Sequence, residues 1–213
     1  MNDYAFLIYG LIELYETTFD ILYLKKALEL NTDMLKHFWD SSGSGLYLTA
    51  DDSEELIVRT KEIYDGAMPS GNSIAMLNLL RLGRITGDNS LEEKAKNIGQ
   101  AFSREVTQTP SGYAQLMVAV DFAIGPSCEI VIAGNSKAED TKVMLNTVNK
   151  RFIPNKTVVL RPTEQKEPEI IHISGFTEGL KDMNGKATAY VCQRHSCNLP
   201  TNELQEMLNQ IKA

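Results

Sequence analysis

The sequence predicts a mainly α protein, a partial α/α toroid of helical hairpins followed by a small βαβ unit. Three observations predict it. A stretch beginning at Leu11 repeats at Leu79 with matched turns. The helices within each copy alternate between apolar and amphipathic. After Gly125-Pro126 the pattern changes to β-branched runs around one helical segment.

The repeat aligns "LIELYETTFDILYLKKAL" from Leu11 with "LLRLGRITGDNSLEEKAK" from Leu79. Leu11 falls on Leu79, Leu14 on Leu82, Thr18 on Thr86, Asp20 on Asp88 and Ala27 on Ala95. Each copy reads as an apolar helix, a Thr-x-Asp turn and a second helix, as repeated helical hairpins require. The first helix, "YAFLIYGLIELY" or "SIAMLNLLRLG", is apolar on nearly every face, which places it inside. The second carries a stripe: Leu24, Ala27, Leu28, Met34, Leu35 and Phe38 in one copy, Leu91, Ala95, Ile98 and Phe102 in the other. Inner and outer helices of this kind suit concentric layers, whereas a plain bundle wants similar amphipathicity throughout.

A third hairpin starts at Thr109 ("TPSGYAQLMVAVDFAIG") and stops at Gly125-Pro126. "EIVIAG" from Glu129 and "KTVVLRP" from Lys156 then read as strands around the helical "AEDTKVMLNTVNKRF". "ATAYVC" from Ala187 is a third strand and "TNELQEMLNQIK" a closing helix, capped by Thr201 or Asn202. Strand, helix and strand in this span make a right-handed βαβ unit. The expected domains are therefore 1–126, with a β-hairpin loop near 45–60, and 127–213.

Composition narrows the function classes. A formal net charge of −7, with no dense Lys/Arg cluster, argues against a nucleic-acid surface. "FLIYGLIELY" is interrupted by Glu13 and too short to span a bilayer, and Lys25 is the first basic residue. Three cysteines form no secreted disulfide framework, so a reduced, cytoplasmic protein is expected.

Several stretches together resemble one family: "FWD…GLYLTADDSEELIVR", "YDGAMPSGNS", "DFAIGPSCEIVIAG" and "ATAYVCQRHSCNLP". It is the DUF255, or thioredoxin-domain-containing, family of spermatogenesis-associated protein 20-like proteins. The resemblance implies an α/α toroid of the six-hairpin glycosidase-like class, preceded in the family by a thioredoxin-like domain. By that resemblance the chain is a carboxy-terminal piece, whose apolar inner helices would associate with the missing N-terminal part or with a second copy.

The segment "KEIYDGAMPSGNS" (61–73) concentrates the candidate site. Pro69, Gly66 and Gly71 make a tight turn, and Ser70 or Asn72 can cap the helix that follows. That structural role leaves Glu62, Tyr64 and Asp65 unexplained. In glycosidase-like toroids a sugar sits in a funnel under long loops, and the loop 39–73 is long. Sugar chemistry uses carboxylates as acid and base, aromatic faces and amide or arginine donors. Asp65 and Glu62 are the catalytic candidates, and Arg59, Tyr64, Asn72 and Trp39 the binding ones. The helix start also presents free N–H groups to the funnel. A structural turn and a site both remain open for this motif. Asp121, an acid in an apolar run, needs a backbone or arginine partner.

"YVCQRHSC" places Cys192, His195 and Cys197 close together. A metal knuckle, a redox dithiol and plain loop residues are three open readings. Zinc sites show a second ligand pair that is missing here, and the spacing is not C-x-x-C. No metal and no cofactor is expected. "IVIAGNSKAED" lacks the glycines and the Gly-Lys-Ser/Thr of a nucleotide loop. His172 reads as a strand residue, His37 as a helix residue at an edge, and Met34, Met76 and Met117 as core. The expected function is a carbohydrate-binding or sugar-processing toroid domain, hydrolase- or epimerase-like, acting on a sugar-like small molecule. The alternative is a non-catalytic scaffold serving an upstream thioredoxin-like domain. Neither nucleic acid nor membrane is an expected partner.

Overall fold

The computed structural model describes residues 1–54, 56–193 and 196–212. The chain divides into two compact units, Met1–Gly83 with Asp88–Ile124, and Arg84–Gly87 with Gly125–Ala213.

The first unit is helical. Helices α1 (Asn2–Thr18) and α2 (Ile21–Phe38) form one hairpin; α3 (Gly71–Thr86) and α4 (Asn89–Ala101) follow a long loop. The two Thr-x-Asp turns share a mechanism. Phe19 and Gly87 take the left-handed conformation, φ 56° and 77°. The following aspartate then caps the next helix: Asp20 accepts Leu22 N–H, and Asp88 accepts Ser90 N–H. Glycine adopts this backbone freely, whereas Phe19 carries a cost of about 1 kcal/mol. Two short helices, α5 (Ser103–Gln108) and α6 (Ala114–Ile124), complete the unit.

α3 is its central rod, with every residue from Gly71 to Gly83 buried. A helix buried all round must find partners for its polar side chains. Asn78 donates from Nδ2 to the Ala5 carbonyl of α1 at 2.8 Å. Arg81 reaches two α1 carboxylates, Glu13 at 2.5 Å and Glu16 at 3.0 Å. Burial opposes the charge on Arg81, and the Glu16 and Glu13 carboxylates outweigh it, holding the guanidinium above its ordinary pKa. α4 approaches closely at Gly83, where a Cβ would run into Glu92, and at Gly99, which lies against Met76. The amphipathic stripes bury Leu24, Ala27, Met34 and Phe38 in α2, and Leu91, Ala95 and Ile98 in α4. Met34 and Met76 lie in the core, and Met117 is half-buried.

Two expectations need correction. α1 is not enclosed: it buries Ala5, Ile8, Ile12 and Tyr15 but exposes Phe6, Leu7 and Leu14. Among the described residues near 45–60 no strand pair forms. Leu46 makes an isolated bridge to Trp39, and Leu48 N–H bonds the Thr60 carbonyl. Asp121 lies on the exposed side of α6, between buried Ala119 and Phe122.

The second unit carries a mixed sheet. Strands β1 (Cys128–Gly134) and β2 (Lys156–Pro162) are parallel and joined through α7 (Glu139–Asn149), with Ile130 opposite Val158. After a short helix, α8 (Ile170–Ile173), strand β3 (Thr188–Gln193) runs antiparallel on the other side of β1. β4 (Ser196–Cys197) extends the edge, giving the order β2-β1-β3-β4, and α9 (Leu204–Lys212) closes the chain. The Thr201 hydroxyl accepts Glu203 N–H just before α9. His172 stands exposed in α8 and not in a strand: the β-branched run there is too short to pair and forms one helical turn instead. No helix among the described residues is long and apolar enough to cross a membrane.

The Arg81 pairs generate a prediction. Arg81→Ala removes the cation beside the buried Glu16 carboxylate and should cost about 3–5 kcal/mol. Glu13→Ala, losing a half-exposed partner, should cost about 1 kcal/mol or less. Urea unfolding of both variants checks the difference.

Candidate functional site

The segment 61–73 is organised by backbone bonding. The Asp65 carboxylate accepts two amides with its two oxygens: Ser70 N–H at 2.8 Å and Leu116 N–H at 3.0 Å. Ser70 precedes α3, and Leu116 lies in the first turn of α6. Asp65 N–H in turn donates to the Gly112 carbonyl at 2.9 Å. Tyr113, the residue before α6, has no side chain suited to capping, so Asp65 supplies the acceptor from fifty-one residues away. Ser70 caps α3 itself: its Oγ accepts Ser73 N–H at 3.1 Å.

Asn72 is fully buried and clamps two stretches of the long loop. Its Oδ1 accepts Leu46 N–H at 2.8 Å, and its Nδ2 donates to the Leu46 and Glu62 carbonyls, each at 2.9 Å. The amide thus substitutes for a strand partner, which explains why this loop holds together without a ladder. Glu62 contributes that carbonyl while its side chain is exposed.

The remaining candidates sit around this clamp. The exposed Tyr64 meets Tyr113 edge-on at 6.3 Å. Arg59 bonds the carbonyls of His37 and Thr49 and stacks over Tyr47 at 4.2 Å. Trp39 is half-buried, with the Lys94 ammonium 4.6 Å from its ring centre. Asp65 and Asn72 therefore spend their side-chain polar atoms on the protein's own backbone, and Arg59 does so through Nη2, while its buried Nε has no hydrogen-bond partner. The α3 start offers Ser73 N–H to Ser70 and not to solvent.

Two neighbouring groups were not singled out from sequence. Asp40 pairs with Lys61 at 2.5 Å and accepts the Ser42 amide and hydroxyl. The Lys61 bond, followed by the Ser42 bonds, holds its carboxyl far below the usual range. His37 Nδ1 lies 2.8 Å from Asp51 and 3.5 Å from Asp52, a donor set that could hold a metal ion. The side-chain hydrogen bond with His37 lowers the Asp51 pKa, and that bond already accounts for the contact. In the second unit a polar hollow of about 210 Å³ lies beyond the ends of β1 and β2, lined by Asn135, Asp140, Glu164, Asp182 and Lys186 among others. Only a folded sheet brings these separated residues together. Cys192 and Cys197 are joined by a disulfide across β3 and β4, whereas His195, named with them from sequence, lies outside the described residues.

The geometry defines a helical-hairpin unit with a clamped loop, together with a small mixed α/β unit. Comparison with known proteins identifies what the chain is similar to. It is 33% identical over 213 residues to human spermatogenesis-associated protein 20, covering 98% of this chain and 27% of the relative. The rat protein of the same name is 33% identical over 214 residues, 99% of this chain and 27% of the relative. The uncharacterized protein B0495.5 of Caenorhabditis elegans is 33% identical over 207 residues, 97% of this chain and 27% of its own length. No defined family profile matches. Homology across nearly the whole chain supports its place in the spermatogenesis-associated protein 20-like family. The chain spans about a quarter of the length of these relatives.

Asn72→Ala should strand the Leu46 N–H and two carbonyls, costing about 2–4 kcal/mol, while Glu62→Ala stays within about 0.5 kcal/mol of wild type. Denaturant titrations compare the two. For Asp40 the folded pKa is depressed, so its contribution is present above the ordinary carboxylate pKa and lost as pH falls through the folded value. Asp40→Asn should therefore be less stable than wild type at neutral pH, with the gap closing progressively below about pH 4. Thermal unfolding across pH measures it.

Proposed function

We propose that this chain serves as a non-catalytic scaffold or interaction module within a longer spermatogenesis-associated protein 20-like protein. Its helical unit is read as a sector of an α/α toroid, in line with the DUF255 resemblance, and its residence as cytoplasmic. One observation carries this reading. Both oxygens of Asp65, the leading acid/base candidate, are occupied by the amides that begin two helices. A general acid or base must have a lone pair or proton within reach of substrate. Each oxygen keeps a second lone pair, but protonating either one would weaken the helix cap it holds. The exposed apolar residues Phe6, Leu7 and Leu14 of α1 suit a module that meets more protein, either the rest of a longer chain or a second copy.

The competing reading is a site for a sugar-like molecule, with Asp65 and Glu62 as acid and base. The exposed Tyr64 ring and the outward Glu62 side chain favour it. It asks Arg59, Asn72 and Trp39 to serve a ligand in addition to the contacts they already make.

One set of variants separates the two. Asp65→Ala should lose about 2–4 kcal/mol, the sum of two charge-assisted caps, and Asp65→Asn should recover part of it. Titration calorimetry of the wild-type chain against neutral and acidic mono- and oligosaccharides should show no binding. A saccharide that binds wild type and is lost in a fully stable Asp65→Ala variant would replace the scaffold reading with the site.

A further inference from the structure

The disulfide lies at an unusual place for a structural bond. β4 meets β3 through two residue pairs, Cys192 with Cys197 and Gln193 with Ser196, and the first pair is also covalent. The other edge of β3 carries the full antiparallel ladder to β1, from Cys128–Gln193 to Ala133–Thr188. The far end of the edge segment is held separately by the reciprocal Ala189 and Thr201 backbone bonds. The bond thus spans a sequence separation of five and tethers only a two-residue strand. Short loops gain least from cross-linking, so this bond contributes less than one closing a long loop would.

Access separates the three cysteines. Cys197 is exposed and Cys192 half-buried. Cys128 is 4% exposed, and burial, with Glu129 beside it, pushes its thiol up to about 11. A thiolate in solvent can reach the pair, whereas Cys128 is an inert core residue. Reactive disulfides are those that are accessible and stabilise little.

We propose that Cys192–Cys197 is a reversible thiol–disulfide exchange site whose reaction partner is a dithiol. In the reductive direction a thiolate of the dithiol attacks Cys197 Sγ. An intermolecular S–S bond forms, the Cys192–Cys197 bond breaks, and Cys192 leaves as a thiolate. The second thiol of the partner then attacks its own linked sulfur and expels Cys197. Two electrons pass to the pair, the dithiol becomes a disulfide, and its two protons are taken up by the two released cysteines. Run backwards, a disulfide oxidant closes the pair. The site is independent of the scaffold reading, because it lies wholly within the β3–β4 edge.

The test is alkylation of the full chain followed by mass spectrometry. Air-oxidised native protein should take up no maleimide. After dithiothreitol it should take up two, at Cys192 and Cys197, with Cys128 modified only in denaturant. Oxidised glutathione should return the uptake to zero. The melting temperature of the reduced protein should fall by no more than a few degrees. A bond that resists dithiothreitol until the chain unfolds, or a large fall in melting temperature on reduction, would make it a structural staple and overturn the proposal. Native protein that stays doubly labelled after oxidised glutathione would overturn it from the other side. The Cys192→Ser variant should form a glutathione adduct at least fivefold faster than Cys197→Ser. The reverse order would overturn the assignment of Cys197 as the attacked sulfur.

Discussion

The helical unit is organised by a carboxylate that begins two helices at once. A helix start leaves amide donors without intrahelical acceptors, and a start that is tucked inside protein cannot leave them to water. Asp65 resolves this for Ser70 before α3 and for Leu116 in α6, while its own amide fixes Gly112. With the α3 start set, Asn72 is delivered to Leu46 and Glu62, and the long loop acquires a shape without forming a sheet. Arg59, Lys61 and Trp39 then take their places around Tyr47, Asp40 and Lys94. The polar residues of this region are held by backbone bonds at Asp65, Asn72 and Arg59, a side-chain pair at Asp40 and Lys61, and cation–ring contacts at Tyr47 and Trp39.

α3 shows the same economy on a larger scale. A rod buried on every side is expensive wherever it carries a polar side chain, and this one carries Asn72, Ser73, Asn78 and Arg81. Hydrogen bonds reach these four from three parts of the unit: the loop for Asn72, Ser70 for Ser73, and α1 for both Asn78 and Arg81. Apolar packing supplies the bulk of the adhesion, and these directional bonds fix which helix face meets which neighbour. The similarity to spermatogenesis-associated protein 20 runs through both units, and the chain spans about a quarter of that relative's length.

How much of this could be read from residues alone varies with the range of the interaction. The Thr-x-Asp turns were legible because their logic is local: a left-handed residue followed by a capping aspartate, repeated at Phe19-Asp20 and Gly87-Asp88. The βαβ unit was legible because β-branched runs flank a helix of standard length. The loop near 45–60 was not. Alternating Leu, Tyr and Thr imitate a hairpin, while the actual partner is an asparagine side chain on α3. The sequence set Asp65 apart as a residue the turn does not need, yet one of its oxygens accepts Ser70 N–H within that turn. Its other contact, at Leu116, is one no sequence spacing reveals. Asp121 stands in an apolar run, and helical geometry turns it outward between Ala119 and Phe122. For α1, apolarity on all sides says that the surface is greasy and does not say what covers it.

The chain has a single tryptophan, and its position makes it informative. Trp39 ends α2, bridges to Leu46 and lies beneath the Lys94 ammonium of α4. An indole held under a fixed cation and half shielded from water has an emission colour and quantum yield specific to that setting. Fluorescence excited selectively in the indole, rather than in the eight tyrosines, therefore reports on one spot, where the long loop meets α4. A change in that signal without a change in circular dichroism would mark the loop lifting away while the helices stay folded.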